Sequence, residues 1–300
     1  MKFWLSLTTI PETDQYLALA REAEALGFHG LTLADHLVFP AQYDSKYPYT
    51  DDGEFWIPSD TPWPDPWIVM SSMAAVTNKL QFATNIYLAA LRDPFTVARS
   101  VGTAAVMSGN RMTCGVSVGW LKEEYDIVGV DFRTRGKRMD ELLQVVRLLL
   151  TGEEVNYDGD FFNIHNAMMH PAPTAPVKFW SGGAAKLALR RAASQDGWLG
   201  LPLTRELAKP ICDQLLAFRQ EMKKPAEGFA IAIAPLEPYS DEILRDFSAM
   251  GVTEMMVMSP WMPSPWGESV YLDKGDDVRD LEVKIKTMRR FAEDVLAKFA

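Results

Sequence analysis

Cysteine and histidine are scarce in this chain, with two and four among 300 residues. Cys114 and Cys212 are too few and too far apart for a disulfide framework or a thiolate metal site, which fits a reducing cytoplasm. His29, His36, His165 and His170 form no His-x-His or His-x-x-x-His pair, so no metal is expected. No apolar run approaches the ~18 residues of a membrane span. The opening MKFWLSLTTIPETD has no basic segment leading into a long apolar one, so no secretory leader is expected. Positive charge is also short: 30 Lys and Arg against 40 Asp and Glu give a net charge of -10. That balance argues against nucleic acid or an anionic membrane surface as the main partner. Low-complexity tracts and short-period repeats are missing, and the first strand-to-helix turn has no G-x-G-x-x-G phosphate loop.

What is present is a soluble-protein composition, 48% hydrophobic and 23% charged, arranged as strand, helix, strand, helix. Short apolar strands are predicted at Lys2–Thr8, His29–Ala34, Leu80–Tyr87, Arg111–Val118, Val177–Trp180, Gly197–Leu201, Phe229–Pro235 and Thr253–Ser259. Helical spacing follows each, as in Thr13–Leu26 before Gly27, Phe95–Ser108 after Asp93-Pro94, and Ala184–Ser194. Right-handed crossovers of this count predict a (β/α)8 TIM barrel over residues 1–300, one domain with insertions after strands two, four and eight. Residues 151–176 break the rhythm; a hairpin turning at Asp158-Gly159 and a proline-rich connector are expected there. The terminal helix is read as Asp277–Phe299.

A barrel places its site at the C-terminal ends of its strands. Phe179-Trp-Ser-Gly-Gly-Ala-Ala-Lys186 runs from a strand through two glycines into a helix, where free N–H groups and the helix dipole suit a phosphate. Strand two ends in Asp35-His36, a carboxylate and an imidazole suited to acid/base work or to capping a loop. Strand three ends Thr84-Asn-Ile86. Strand four ends Gly115-Val-Ser-Val-Gly-Trp120, small residues that let a planar ligand lie against backbone or that relieve crowding in the wall. Glu123 and Glu124 follow, either alternatives for the acid/base role or partners of a helix dipole.

Together these stretches, with Arg135-Gly-Lys-Arg-Met-Asp-Glu141 and Asp196-Gly-Trp198, resemble the bacterial-luciferase-like superfamily of flavin and deazaflavin oxidoreductases. The resemblance spans most of the first two-thirds of the chain. It implies a ring across the barrel mouth near Asp35 and His36, and a non-prolyl cis peptide at Asn85–Ile86 behind the ring. It further implies that Ser117, Gly119 and Trp120 border the ribityl chain and that Ser181, Gly182, Gly183 and Ala184 hold the phosphate. His36 is then the catalytic proton donor or acceptor, and Asp35 is the second catalytic residue, which either hydrogen-bonds the ring edge or orients neighbouring groups. The Asp-His and Gly-Val-Ser-Val-Gly-Trp stretches look closer to the branch that uses coenzyme F420, a hydride carrier, than to the FMN-dependent monooxygenases, which use reduced flavin and O2. A non-catalytic flavin-binding protein and a barrel metallohydrolase are the rival classes.

Two groups of side chains bear on ligand choice. Arg133, Arg135, Lys137, Arg138, Lys186, Arg190 and Arg191 form either a groove for the oligoglutamate tail of F420 or a solvated helix face. The loop after strand two carries Phe39, Tyr43, Tyr47, Tyr49, Phe55, Trp56, Trp63 and Trp67, and the loop after strand eight adds Trp261, Trp266 and Tyr271. Such aromatics fit a small apolar or aromatic substrate under a lid, and equally a homodimer interface. Acidic residues around Lys274 count against a sugar phosphate substrate.

Overall fold

The computed structural model describes residues 1–8, 10–262 and 269–299. In chain order the strands are β1 (Lys2–Ser6), β2 (Gly30–Leu33), β3 (Gln81–Thr84), β4 (Met112–Val116), β5 (Val155–Asp158), β6 (Asn163–Ala167), β7 (Lys178–Gly182), β8 (Gly197–Leu203), β9 (Ala230–Pro235) and β10 (Glu254–Val257). Eight of them close into a parallel barrel in the order β1-β10-β9-β8-β7-β4-β3-β2, with β2 returning to β1; β5 and β6 form a separate antiparallel pair. The helices around it are α1 (Tyr16–Leu26), α2 (Pro66–Ala74), α3 (Pro94–Met107), α4 (Lys122–Val128), α5 (Arg135–Leu149), α6 (Lys186–Ser194), α7 (Arg205–Glu221), α8 (Asp241–Ala249) and α9 (Leu281–Phe291). This is a (β/α)8 TIM barrel. Among the described residues no helix is long and apolar enough to cross a membrane.

Alternation along the strands sorts the core into a bore and an outer layer. In β9 the alanines at 230, 232 and 234 face the bore, while Ile231 and Ile233 join the layer under the helices. The alanines leave room for Trp4 and Trp180, whose rings meet edge to face at 5.3 Å and fill the barrel. Below them the Glu254 carboxylate, 2% exposed, accepts the Trp4 indole N–H at 2.7 Å and the Lys2 ammonium at 3.0 Å.

Helix starts follow capping chemistry. Asp65 accepts the N–H groups of Trp67 and Ile68 at the head of α2, and Asp93 accepts that of Thr96 at the head of α3; a proline follows each cap. Several expected boundaries move, and three of them concern turns. The hairpin connection is 159–162, longer than an Asp158-Gly159 turn, because the Glu141 carboxylate gathers the N–H groups of Asp160, Phe161 and Phe162. The last helix begins at Leu281, since Asp280 caps it while Asp277 binds Arg279 in the preceding turn. Helix α6 begins at Lys186, two residues later than its apolar pattern suggests, which leaves Gly183, Ala184 and Ala185 as open turn.

Candidate active site

The C-terminal ends of β2, β3, β4, β7 and β8 open into a cavity of about 530 Å³. Its lining brings together Asp35, His36, Asn85, Ile86, Ser117, Gly119, Trp120, Gly182, Gly183 and Ala184. A depression of about 480 Å³ between α7 and α8 is shallow, and its Arg205 is matched to Glu242 and Asp246.

On one side the cavity is walled by backbone. Gly182 faces Ile86: a Cβ on it would lie 3.4 Å from the Ile86 side chain and 3.6 Å from that of Ser117, filling the space between β3 and β7. The Asn85–Ile86 peptide is cis, at the position the resemblance implies. Gly183 sits at φ +105°, a region that L side chains rarely adopt, and its carbonyl accepts the Trp198 indole N–H at 2.9 Å. The turn delivers the chain to α6, whose N-cap is Ala185; no side chain caps this helix and no acid occupies its first turn. Its orphan N–H groups and positive dipole end therefore meet the cavity without a competing carboxylate. Ser181 is not among the residues that line the cavity. It lies one residue from Trp180, which faces the bore, and one from Gly182, which faces Ile86, so strand alternation turns its buried hydroxyl outward, away from the cavity.

The opposite side is built from side chains. Asp35 and His36 are consecutive, yet the structure uses them differently. The Asp35 carboxylate receives Arg92 in a two-pronged pair at 2.8 and 2.9 Å and the Leu88 N–H at 3.0 Å. Burial weakens the Arg92 guanidinium, but the Asp35 carboxylate outweighs it and holds the arginine above its usual pKa. Asp35 thus ties the end of β2 to the turn after β3. His36, with only 9% of its side chain exposed, bonds through Nδ1 to Glu124 Oε2 at 3.0 Å. Glu124 is 1% exposed, and its Oε1 accepts the N–H groups of Leu37 and Val38 at 2.7 and 3.2 Å. Phe39 and Trp63 lie against the imidazole with ring centroids 4.9 and 4.8 Å away.

The loop 37–65 closes over this side. Glu123 pins its tip by accepting the N–H groups of Asp44 and Ser45. Burial works against its ionisation, but Ser45 and these N–H groups prevail and hold the carboxyl below its usual pKa. Tyr47 and Phe55 pack on Trp120 at 5.2 and 5.3 Å, and Tyr47, Tyr49, Phe55, Trp56 and Trp63 reach the cavity. Burial and the neighbouring Tyr49 push the Tyr47 phenol up to about 12, so it stays protonated at neutral pH. In the other aromatic loop, the described aromatics do not line the cavity. Trp261 is core, 1% exposed, and Tyr271 packs on Phe291; Trp266 lies outside the described residues. Trp67 is buried in α2 against Tyr87.

Most of the expected basic cluster is committed elsewhere. Arg133 pairs with Asp131, Arg190 with Glu221 and Arg191 with Asp140, while Arg138 donates to the Ala90 and Arg92 carbonyls. Arg135 does line the cavity, its guanidinium stacked 3.6 Å over Phe132. Sequence reasoning missed the His36–Glu124 pair and the contribution of Leu199, Gly200 and Leu201 from β8. An acidic pair directly after Gly119-Trp120 was the available signal for the first. Among the described residues no three His, Cys, Asp or Glu side chains cluster as a metal site requires.

The luciferase-like monooxygenase family model matches residues 2–242. An uncharacterized protein of Mycobacterium tuberculosis is 35% identical over 284 residues, covering 94% of this chain and 95% of the relative. The F420-dependent glucose-6-phosphate dehydrogenase of Amycolatopsis mediterranei is 25% identical over 185 residues, covering 60% of this chain and 51% of that protein. The crystal structure of monooxygenase RslO1 from Streptomyces bottropensis superposes with a TM-score of 0.74 at 17% identity, covering all of both chains, a likeness of fold. By the family match and the 35% identical relative, the chain belongs to the luciferase-like monooxygenase family of oxidoreductases, which has both F420-dependent and FMN-dependent members.

Proposed function

We propose that this protein is a coenzyme F420-dependent oxidoreductase acting on a small apolar or aromatic organic substrate. The observation that carries this reading is the His36 imidazole, anchored at Nδ1 by a buried carboxylate and lining a cavity that also takes in the Gly182-Gly183 turn before the uncapped α6. The cradle fits a cofactor phosphate: the α6 N-terminus is uncapped, and a side chain at Gly182 would fill the space beside Ile86. Gly182, Gly183 and Ala184 would hold the phosphate, Ser117, Gly119 and Trp120 would border the polar chain, and Asn85 and Ile86 would back the ring. When bound, the deazaflavin supplies hydride transfer, with O2 chemistry suppressed.

The chain's own residues do the rest. His36 holds or takes up the proton that accompanies the hydride, at the nitrogen that Glu124 leaves free. Asp35, engaged by Arg92 and Leu88, serves as a positioning group at the root of that loop. The aromatic loop excludes water and favours an apolar substrate.

FMN-dependent monooxygenation is the second reading, favoured by one observation: the arginines that would receive an oligoglutamate tail are largely matched to carboxylates or carbonyls of the protein itself. Calorimetric titration of the purified protein with coenzyme F420 and with FMN in identical buffer separates the two. Micromolar or tighter binding of F420 with weak FMN binding supports the proposal. Preference for FMN moves the protein to the monooxygenase branch, and binding of neither removes the basis of both readings.

A further inference from the structure

The Glu124 carboxylate has an asymmetric set of partners. Its Oε1 takes two backbone donors, the N–H groups of Leu37 and Val38, which can only donate. Its Oε2 faces His36 Nδ1 at 3.0 Å. A buried carboxylate has only lone pairs to offer, so Nδ1 must carry a hydrogen to satisfy the contact. In the neutral imidazole the other nitrogen then has no hydrogen and presents a lone pair. Among the described residues no hydrogen bond occupies Nε2, and His36 lines the cavity.

We propose that Glu124 is a positioning residue that locks His36 in the Nδ1–H tautomer and so reserves the Nε2 lone pair for proton exchange with the substrate. The proposal rests on the proton-transfer role given to His36 above. Uptake of a proton at Nε2 gives an imidazolium whose charge lies 3.0 Å from the Glu124 carboxylate, and release restores the starting state. The remaining charged groups near the ring are accounted for. Asp35 is paired with Arg92, Lys46 with Glu54, and Arg135 is stacked on Phe132; Tyr47 and Tyr49 are held protonated by burial. Among the described residues Glu124 is therefore the one carboxylate hydrogen-bonded to the imidazole.

The same geometry gives a sharp consequence for Glu124→Gln. The amide has one acceptor and one donor end, and Leu37 and Val38 both demand the acceptor. Its NH2 must then face Nδ1, which forces the hydrogen of His36 onto Nε2 and removes the lone pair from the cavity. A neutral, nearly isosteric substitution should flip the tautomer while the fold persists.

The test is 15N NMR of histidine-labelled protein without any cofactor, with the His36 signals identified by their loss in His36→Ala. Wild-type protein above the imidazole titration should be Nδ1–H, Glu124→Gln should be Nε2–H, and Glu123→Gln, which shares the loop contacts but does not touch His36, should match wild type. Steady-state kinetics of the loaded enzyme should show kcat reduced on the order of 10²-fold in Glu124→Gln with KM little changed. A wild-type Nε2–H tautomer, or an unchanged tautomer in Glu124→Gln, overturns the proposal. An equal loss of kcat in Glu123→Gln also overturns it, because Glu124 would then merely hold the loop. The wild-type spectrum decides the tautomer even if a variant fails to fold. Since it requires no ligand, it stands apart from the fate of the F420 reading.

Discussion

At the floor of the barrel Glu254 is surrounded by donors of the protein itself, the Trp4 indole N–H and the Lys2 ammonium, beneath a bore packed solid by Trp4 and Trp180. At the mouth Glu124 is equally buried and also takes donors from the chain, but one of its partners is an imidazole that lines the cavity and whose second nitrogen has no hydrogen bond among the described residues. A buried carboxylate whose two oxygens are both answered by donors of the chain stabilises one arrangement of the strands. A buried carboxylate that answers one end of a titratable ring leaves the other end available for chemistry. The contrast teaches that burial and charge alone do not tell these two acids apart; the unused nitrogen of the partner does.

Breaking the mouth should change turnover, and breaking the floor should change stability. His36→Ala should lower kcat by about 10²–10⁴-fold while leaving cofactor affinity unchanged, as read by single-turnover kinetics beside a binding titration. Equal turnover in the variant would remove the proton-transfer role. At the other end, Trp4→Ala should cost about 3–5 kcal/mol in urea unfolding, because it empties the bore and strips Glu254 of a donor. A loss below about 1 kcal/mol would mean that the bore tolerates collapse, contrary to the packing described.

The backbone wall of the mouth sharpens the comparison from its other side. Gly183→Asp places a carboxylate on the anion cradle and a side chain at φ +105°, and should weaken cofactor binding on the order of 10²-fold. Undiminished affinity in calorimetry would move the phosphate elsewhere. The smallest effect is expected far from both ends. Bonds from Arg290 and Lys286 hold the Asp273 carboxyl down to about 2. Because that is below the unfolded carboxyl's ordinary ~3.9, its contribution is complete above that value and is lost as pH falls toward 2. Asp273→Asn should flatten this part of the acid-unfolding profile between pH 4 and pH 2, with the mouth and floor variants unaffected in slope.

Much of the architecture was legible because it is local and periodic. The eight apolar strands, the proline after each aspartate cap at α2 and α3, and Ala-Ile-Ala-Ile-Ala in β9 each declare themselves within a few residues. The Gly182-Gly183 turn before α6 was legible for the same reason. The hairpin connection was not, because Glu141, twenty residues away on α5, decides where the turn lies. Nor was the outward direction of Ser181, which depends on which neighbour enters the bore. Basic residues read as a cluster in the sequence were separated by partners that the sequence places far off, such as Asp140 for Arg191 and Glu221 for Arg190.

By itself the sequence determined the order of strands and helices, the glycine turn before α6 and the presence of Asp35 and His36 at a strand end, since these follow from spacing and side-chain type. Only the tertiary structure decided what the two neighbours do. Strand alternation and the closure of the barrel carry Arg92 to Asp35 and Glu124 to His36 across separations of 57 and 88 residues, and a hydrogen bond depends on where its partner stands in space.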